Sequence, residues 1–125
     1  MPKNLEQIRA ANALKAVQQG GFDRNDVNGL PALVLCSGLL ATAAFVSVDQ
    51  QSDTRTGKWR AMDAVAKHLR DSQMGPLLKW PPTKYTNETK GMLDELAEAQ
   101  SSALRVATAE ALAFLSYLKR FAPKT

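Results

Sequence analysis

Between Val27 and Val48 the chain carries no charge, and the stretch LPALVLCSGLLATAAFVSV is apolar on every side of a helix. A run like that has two places to go: across a bilayer, for which it is just long enough, or into the middle of a protein. Ser37, Gly38, Thr42 and Ser47 dilute its hydrophobicity. The amphipathic helices elsewhere in the chain also need something apolar to pack around. The reading that satisfies both is a central helix buried by its neighbours, with no membrane involved. Pro31 suits its first turn, where a missing N–H is no loss. Ser37, Gly38 and Ala41 would let a partner backbone come close, and Cys36 would be an inert core thiol.

The flanking segments supply those neighbours. Asn4 caps a first helix with Gln7 at the capping-box position, and Gly20 with Gly21 stops it. Its apolar residues Leu5, Ile8, Ala11, Leu14 and Val17 step by three, so the apolar surface spirals and meets several partners. After the polar loop DQQSDTRTG, a further helix buries Trp59, Met62, Val65, Ala66 and Leu69 and turns Arg60, Asp63, Lys67 and Arg70 the other way. Gly75, Pro76, Pro81 and Pro82 then break the chain. The acidic MLDELAEAQ forms another helix, and Ser101 with Ser102 marks a break or cap before the last one. No segment alternates with period two, which leaves an all-α fold. We expect one domain over residues 1–125, a compact bundle of five to six helices around the buried central one. At this length a chain buries a real core without metal or disulfide help.

The last helix, Ala103 to Ala122, has the clearest polarity. Leu104, Thr108, Ala111, Leu115, Leu118 and Ala122 form one stripe, widened by Leu112, Phe114, Tyr117 and Phe121. Arg105, Ser116, Lys119 and Arg120 share the opposite arc, so a packed helix leaves its cations facing outward. The net charge of +4 is modest, but it is unevenly spread. Residues 59–90 and 101–125 each carry +3, residues 1–24 carry +2 with Arg9 and Lys15 among them, and the acidic helix at 91–100 carries −3. Three cationic helical stretches suggest a polyanionic partner only if the fold brings them together.

Catalytic chemistry is not written here. His68 is the only histidine and Cys36 the only cysteine, too few ligands for a zinc site. The carboxylates fall as Asp23 with Asp26, Asp49 with Asp53, and Asp94, Glu95 and Glu98. The first two groups sit in loops, and the last trio reads as a solvated face rather than a metal cradle. Neither a GxxxxGK nor a GxGxxG loop is present. His68, with Asp71 or Lys67 beside it, reads as a surface or half-buried structural histidine. The expectation is a non-enzyme with no cofactor. The opening residues MPKNLEQIRA lack a secretory apolar stretch, which makes the cytoplasm the default location.

Three blocks, KNLEQIRAANAL, LPALVLCSGLLATAAF and ATAEALAFLSYLKRFA, resemble the small all-helical subunit of the type III-B CRISPR effector, the Cmr complex, in that family's order and at comparable separation. They cover about a third of the chain. The resemblance is strongest at Arg9 and Ala10, at Leu30 to Ala32 with Leu39 to Thr42, and at Ala109 to Ala122. It implies a helical bundle in antiviral defence that stacks in several copies along a ribonucleoprotein filament, beside the backbone and large subunits. There it would line the groove holding target RNA paired to the guide, with the cleavage chemistry on other subunits. Arg105, Lys119 and Arg120 match positions where the family carries cations.

The residues 49–102 match the family only in helical character, so Arg60, Lys67 and Arg70 enter as RNA contacts from charge and helical phase alone. The candidate nucleic-acid-binding set is therefore Arg9, Lys15, Arg60, Lys67, Arg70, Arg105, Lys119 and Arg120. Base pairing reads sequence in such a complex, so the protein needs only cations at phosphate spacing on a rigid support. Trp59 is expected in the core, while Trp80 and Tyr85 are open to base stacking. The competing arrangement for Arg105 and Arg120 is an internal ion pair with Glu110 or with the acidic helix. The competing function is a helical adaptor or packing subunit that touches protein and no RNA.

Overall fold

A computed structural model describes residues 4–48, 57–71 and 88–123. The polar loop at 49–56 and the proline-rich segment with Trp80 and Tyr85 lie outside the described residues. The helices are α1 (Leu5–Gln19), α2 (Arg24–Asn28), α3 (Leu30–Ser37), α4 (Leu39–Val48), α5 (Gly57–Leu69), α6 (Glu88–Glu98) and α7 (Ser101–Phe121). The fold is all-α. Helix α7 packs along α1 and touches α5, α2 and α3, while α6 bridges α5 and α4.

Local chemistry explains the boundaries of α1 and the start of α2. At the start of α1 the Gln7 N–H donates to Asn4 Oδ1 at 2.9 Å and the Asn4 N–H donates to Gln7 Oε1 at 3.0 Å, the reciprocal box read from the sequence. Gly20 and Gly21 end the helix with φ of 74° and 92°, a region that side chains with a Cβ rarely adopt. Asp23 and Asp26, read as a loop pair, instead form a second capping box that starts the short α2.

The apolar run corrects the expectation of a single central helix. Gly38, at φ 87°, divides it into α3 and α4. The Gly38 carbonyl accepts from Thr42 Oγ1 at 2.8 Å as the second helix begins. Among the residues whose burial is described, each half buries the stripe its period allows: Leu30 and Val34 from α3, then Leu39, Thr42, Ala43 and Val46 from α4. Leu35 and Phe45 stay 72% and 62% exposed, and Cys36 is exposed rather than a core thiol. A helix apolar all round keeps an apolar outer side when neighbours cover only one face. No described helix is long and apolar enough to cross a membrane.

The core is built where the sequence placed it on α5 and α7. Trp59, Met62, Val65, Ala66 and Leu69 are buried, as are Ala111, Phe114, Leu115, Leu118 and Ala122. Burying a side chain the size of Leu or Phe contributes about 1.5–3 kcal/mol before the cost of ordering it. On α1 only Ile8 and Ala13 are fully covered, and Leu5 and Leu14 remain 39% and 46% exposed. Asp63, read on the polar side of α5, is buried, and its Oδ1 accepts from the Thr89 backbone N–H at 2.9 Å and from the Thr89 hydroxyl. That joins α5 to the start of α6.

Candidate nucleic-acid interface

On α5, Arg60, Ala64 and Lys67 are spaced by four and three residues and so share one face. On α1, Asn12, Lys15, Ala16 and Gln19 do the same. Where α1 and α5 pack, these two faces enclose a cleft of about 230 Å³, lined by Lys15, Arg60 and Lys67 together with Asn12, Gln19 and Phe22 and with the buried Asp63 and His68. All three cations are exposed and Phe22 is buried. The cleft also depends on the glycine turn after α1. A Cβ at Gly21 would run into the Arg60 side chain, so the absence of one lets Arg60 lie across the turn.

A second basic surface lies at the C-terminal end of α7, where Ser116, Lys119, Arg120 and Arg24 line a shallow depression. Ser116, Lys119 and Arg120 are exposed, together with Arg105 further up the helix, so α7 turns its cationic arc outward. Arg24 is the member the sequence did not reveal. Its Nε donates to the Lys119 carbonyl at 3.1 Å and its Nη2 to the Arg120 and Ala122 carbonyls at 3.3 Å each. It therefore satisfies carbonyls left over at the helix end and complements the dipole there. The Arg24 N–H also donates to the Pro123 carbonyl at 2.9 Å. Nothing local in the sequence signals that contact, because its partners lie almost a hundred residues away.

The remaining candidates are placed apart from these two surfaces. Arg105 lines an apolar groove formed by Leu39, Leu40, Leu104 and Leu112 between α4 and α7. Arg70 sits in the turn after α5, half-buried. Arg9 is committed inward: its Nε and Nη2 donate to Glu110 Oε2 and Oε1 at 2.7 Å each. The bond holds Arg9 above its ordinary value through Glu110. Glu110 is thus partnered by Arg9 and His68, not by Arg105 or Arg120.

His68 completes this buried group. It is 1% exposed, deeper than the surface or half-buried position expected, and its ring stacks on Phe114 with centroids 4.4 Å apart. Its Nε2 lies 2.8 Å from Glu110 Oε2 and its Nδ1 lies 2.9 Å from Asn12 Nδ2. Asn12 Nδ2 also donates to Asp71 Oδ2 at 2.8 Å, which fixes the amide orientation and makes Nδ1 the acceptor. The proton then sits on Nε2, and the imidazole is neutral with both nitrogens satisfied. Burial pushes His68 below its ordinary value despite the attraction of Glu110. Burial alone would raise Glu110, yet the bonds from Arg9 and His68 hold it below its ordinary value. An ionised carboxylate balanced by Arg9 ties α1, α5 and α7 together directly beneath the cleft.

Compared with known families, the chain matches the model of the family described as CRISPR-associated protein (Cas_Cmr5) over residues 5–124. No curated protein and no solved structure matches it.

Proposed function

This chain belongs to the Cas_Cmr5 family of CRISPR-associated proteins, and from that premise we propose that it is a non-catalytic small subunit that holds RNA in the type III-B effector. It is a small Cmr subunit by family, and its partners include other subunits of that complex. In the proposed role, copies stack along the ribonucleoprotein in the cytoplasm during antiviral defence. Basic helix faces support the phosphates of guide and target while base pairing supplies sequence specificity.

The observation that carries this reading is the convergence of Lys15, Arg60 and Lys67, from two helices, on one cleft. Lys119 and Arg120 form a weaker second contact, since they share their surface with the carbonyl end of α7 and Arg24 is occupied there. Arg9 acts through Glu110 as a structural residue. Arg70 and Arg105 lie apart from both surfaces and keep at most a supporting part in the proposed role.

The test is target-RNA retention by the reconstituted effector over a salt series. Replacing Lys15, Arg60 and Lys67 with Ala together should flatten the dependence of log K on log salt by roughly 2 to 3 units. An unchanged slope would remove the cleft from the RNA path.

A second reading rests on the groove between α4 and α7, whose walls are Leu39, Leu40, Leu104 and Leu112, with Phe45 and Val106 exposed on the same helices and Leu35 exposed on α3. In it the subunit packs against protein and touches no RNA. Normal assembly of the triple variant together with unaltered RNA retention would favour it.

A further inference from the structure

We infer that the α1–α5 cleft seats a single unpaired nucleotide of an RNA strand, with its base in the recess and its phosphate at the mouth. This rests on the reading of the protein as an RNA-holding subunit and names what enters its principal site. The phosphate backbone of a duplex meets cations that project from a surface, and it does not fill a recess that continues inward behind them. Here the recess does continue. Lys15, Arg60 and Lys67 are exposed at its mouth, whereas Phe22 and Ala64 are buried and Ala16 half-buried.

The deeper walls combine the apolar Phe22, Ala16 and Ala64 with the buried Asp63 and His68, which are already hydrogen-bonded to Thr89 and Glu110. A base offers flat apolar faces and a polar edge, and the Asp63 carboxylate keeps a phosphate out at the cationic mouth. Every nucleobase offers a flat apolar face, and aromatic contact with a base contributes about 1–3 kcal/mol. At about 230 Å³ the cleft lies below the ~300–1,000 Å³ of sites for drug-sized ligands and far above the ~30 Å³ share of one water. That range suits one heterocycle with its sugar. A paired base is stacked inside its helix and cannot reach in, so the occupant is an unpaired one.

The experiment follows backbone amide shifts of α1 and α5 in the full chain at low ionic strength. The probes are uridine monophosphate, uridine, inorganic phosphate, a short oligouridylate and a blunt-ended RNA duplex. The expected result is saturable binding of the monophosphate, about tenfold tighter than uridine or phosphate alone, with displacement by the oligouridylate. Ala64→Leu should abolish it. Because Ala64 is buried and that variant could fail to fold, Ala16→Leu at the half-buried wall is the companion, expected to weaken the monophosphate about tenfold and to leave duplex binding unchanged.

Equal affinity for phosphate and monophosphate would overturn the inference, as would indifference to Ala16→Leu in a folded protein. A monophosphate that the oligouridylate does not displace would also overturn it, because the ligand would then be a free nucleotide. Duplex bound without monophosphate sinks this inference and spares the RNA-holding role. No RNA bound in any form sinks both.

Discussion

Arg9 and Glu110 stand 101 positions apart in the chain and meet through two parallel hydrogen bonds of 2.7 Å each. Glu110 is 7% exposed and Arg9 20% exposed, so the pair sits at the inner edge of the α1–α7 contact, half-shielded from water. His68 shares the same carboxylate from α5 at 2.8 Å. Three helices are thereby set in one register behind the basic cleft, by one ionised group and the donors aimed at it.

Removing that carboxylate should be costly. Glu110→Ala leaves a partly buried guanidinium without its counter-charge and strips His68 of its acceptor. A fully buried pair broken this way loses about 3–5 kcal/mol, and the residual exposure of Arg9 reduces the expectation to about 2–3 kcal/mol. Urea titration reads it, and a loss below about half a kcal/mol would show the pair to be dispensable.

Arg9→Met should act on His68 rather than simply on stability. The positive charge of Arg9 opposes protonation of the ring, and its loss leaves Glu110 with the neutral His68 as its remaining partner, now better able to take up a proton. The His68 value is expected to rise, followed by imidazole chemical shifts over pH. A value that stays put or falls would mean that Glu110 takes up a proton instead.

Acid should weaken the fold in two stages. The His68 value is pushed below its ordinary 6.5 by burial, so as pH falls below 6.5 the unfolded chain takes up a proton that the folded one refuses. Stability is complete above that point and declines as pH falls, by at most ~1.4 kcal/mol per pH unit for one group. Glu110 is held below its ordinary 4.5, so its contribution is present above 4.5 and is lost as pH falls through the lower folded value. His68→Gln, which keeps a donor toward Glu110 and cannot titrate, should erase the first stage and retain the second. Urea midpoints of the two proteins that run parallel through mildly acidic pH would contradict the assignment.

Two glycines separate backbone strain from crowding. Gly38 has φ 87° with open space around the position of a Cβ, so Gly38→Ala carries the backbone penalty alone, about 1 kcal/mol. Gly21 has φ 92° and the Arg60 side chain over it, so Gly21→Ala must also displace Arg60. The second substitution should weaken RNA retention as well as stability, whereas the first should leave RNA untouched. Equal effects on RNA would detach Arg60 from the site.

Much of the helix pattern could be read in advance because its causes are local. The Asn4–Gln7 box, the glycine stop after α1, the buried stripe of α5 and the outward cations of α7 each follow from residues within a turn or two of one another. The apolar run shows where such reading stops. Its composition could not say that Gly38 would adopt a positive φ and divide it, or that neighbours would cover one face and leave Leu35 and Phe45 in the open.

Residue order alone makes this protein helical, sets the start and stop of α1 and marks which faces of α5 and α7 are charged, since those follow from helical period and capping chemistry. How the cations divide was settled by packing. It turned Arg9 inward to Glu110, spent Arg24 on the end of α7 and gathered Lys15, Arg60 and Lys67 around one cleft. The reason is physical: a charge finds its partner through space, and the separations involved, 101 positions for Arg9 with Glu110 and 42 for His68 with Glu110, leave no trace in any local pattern.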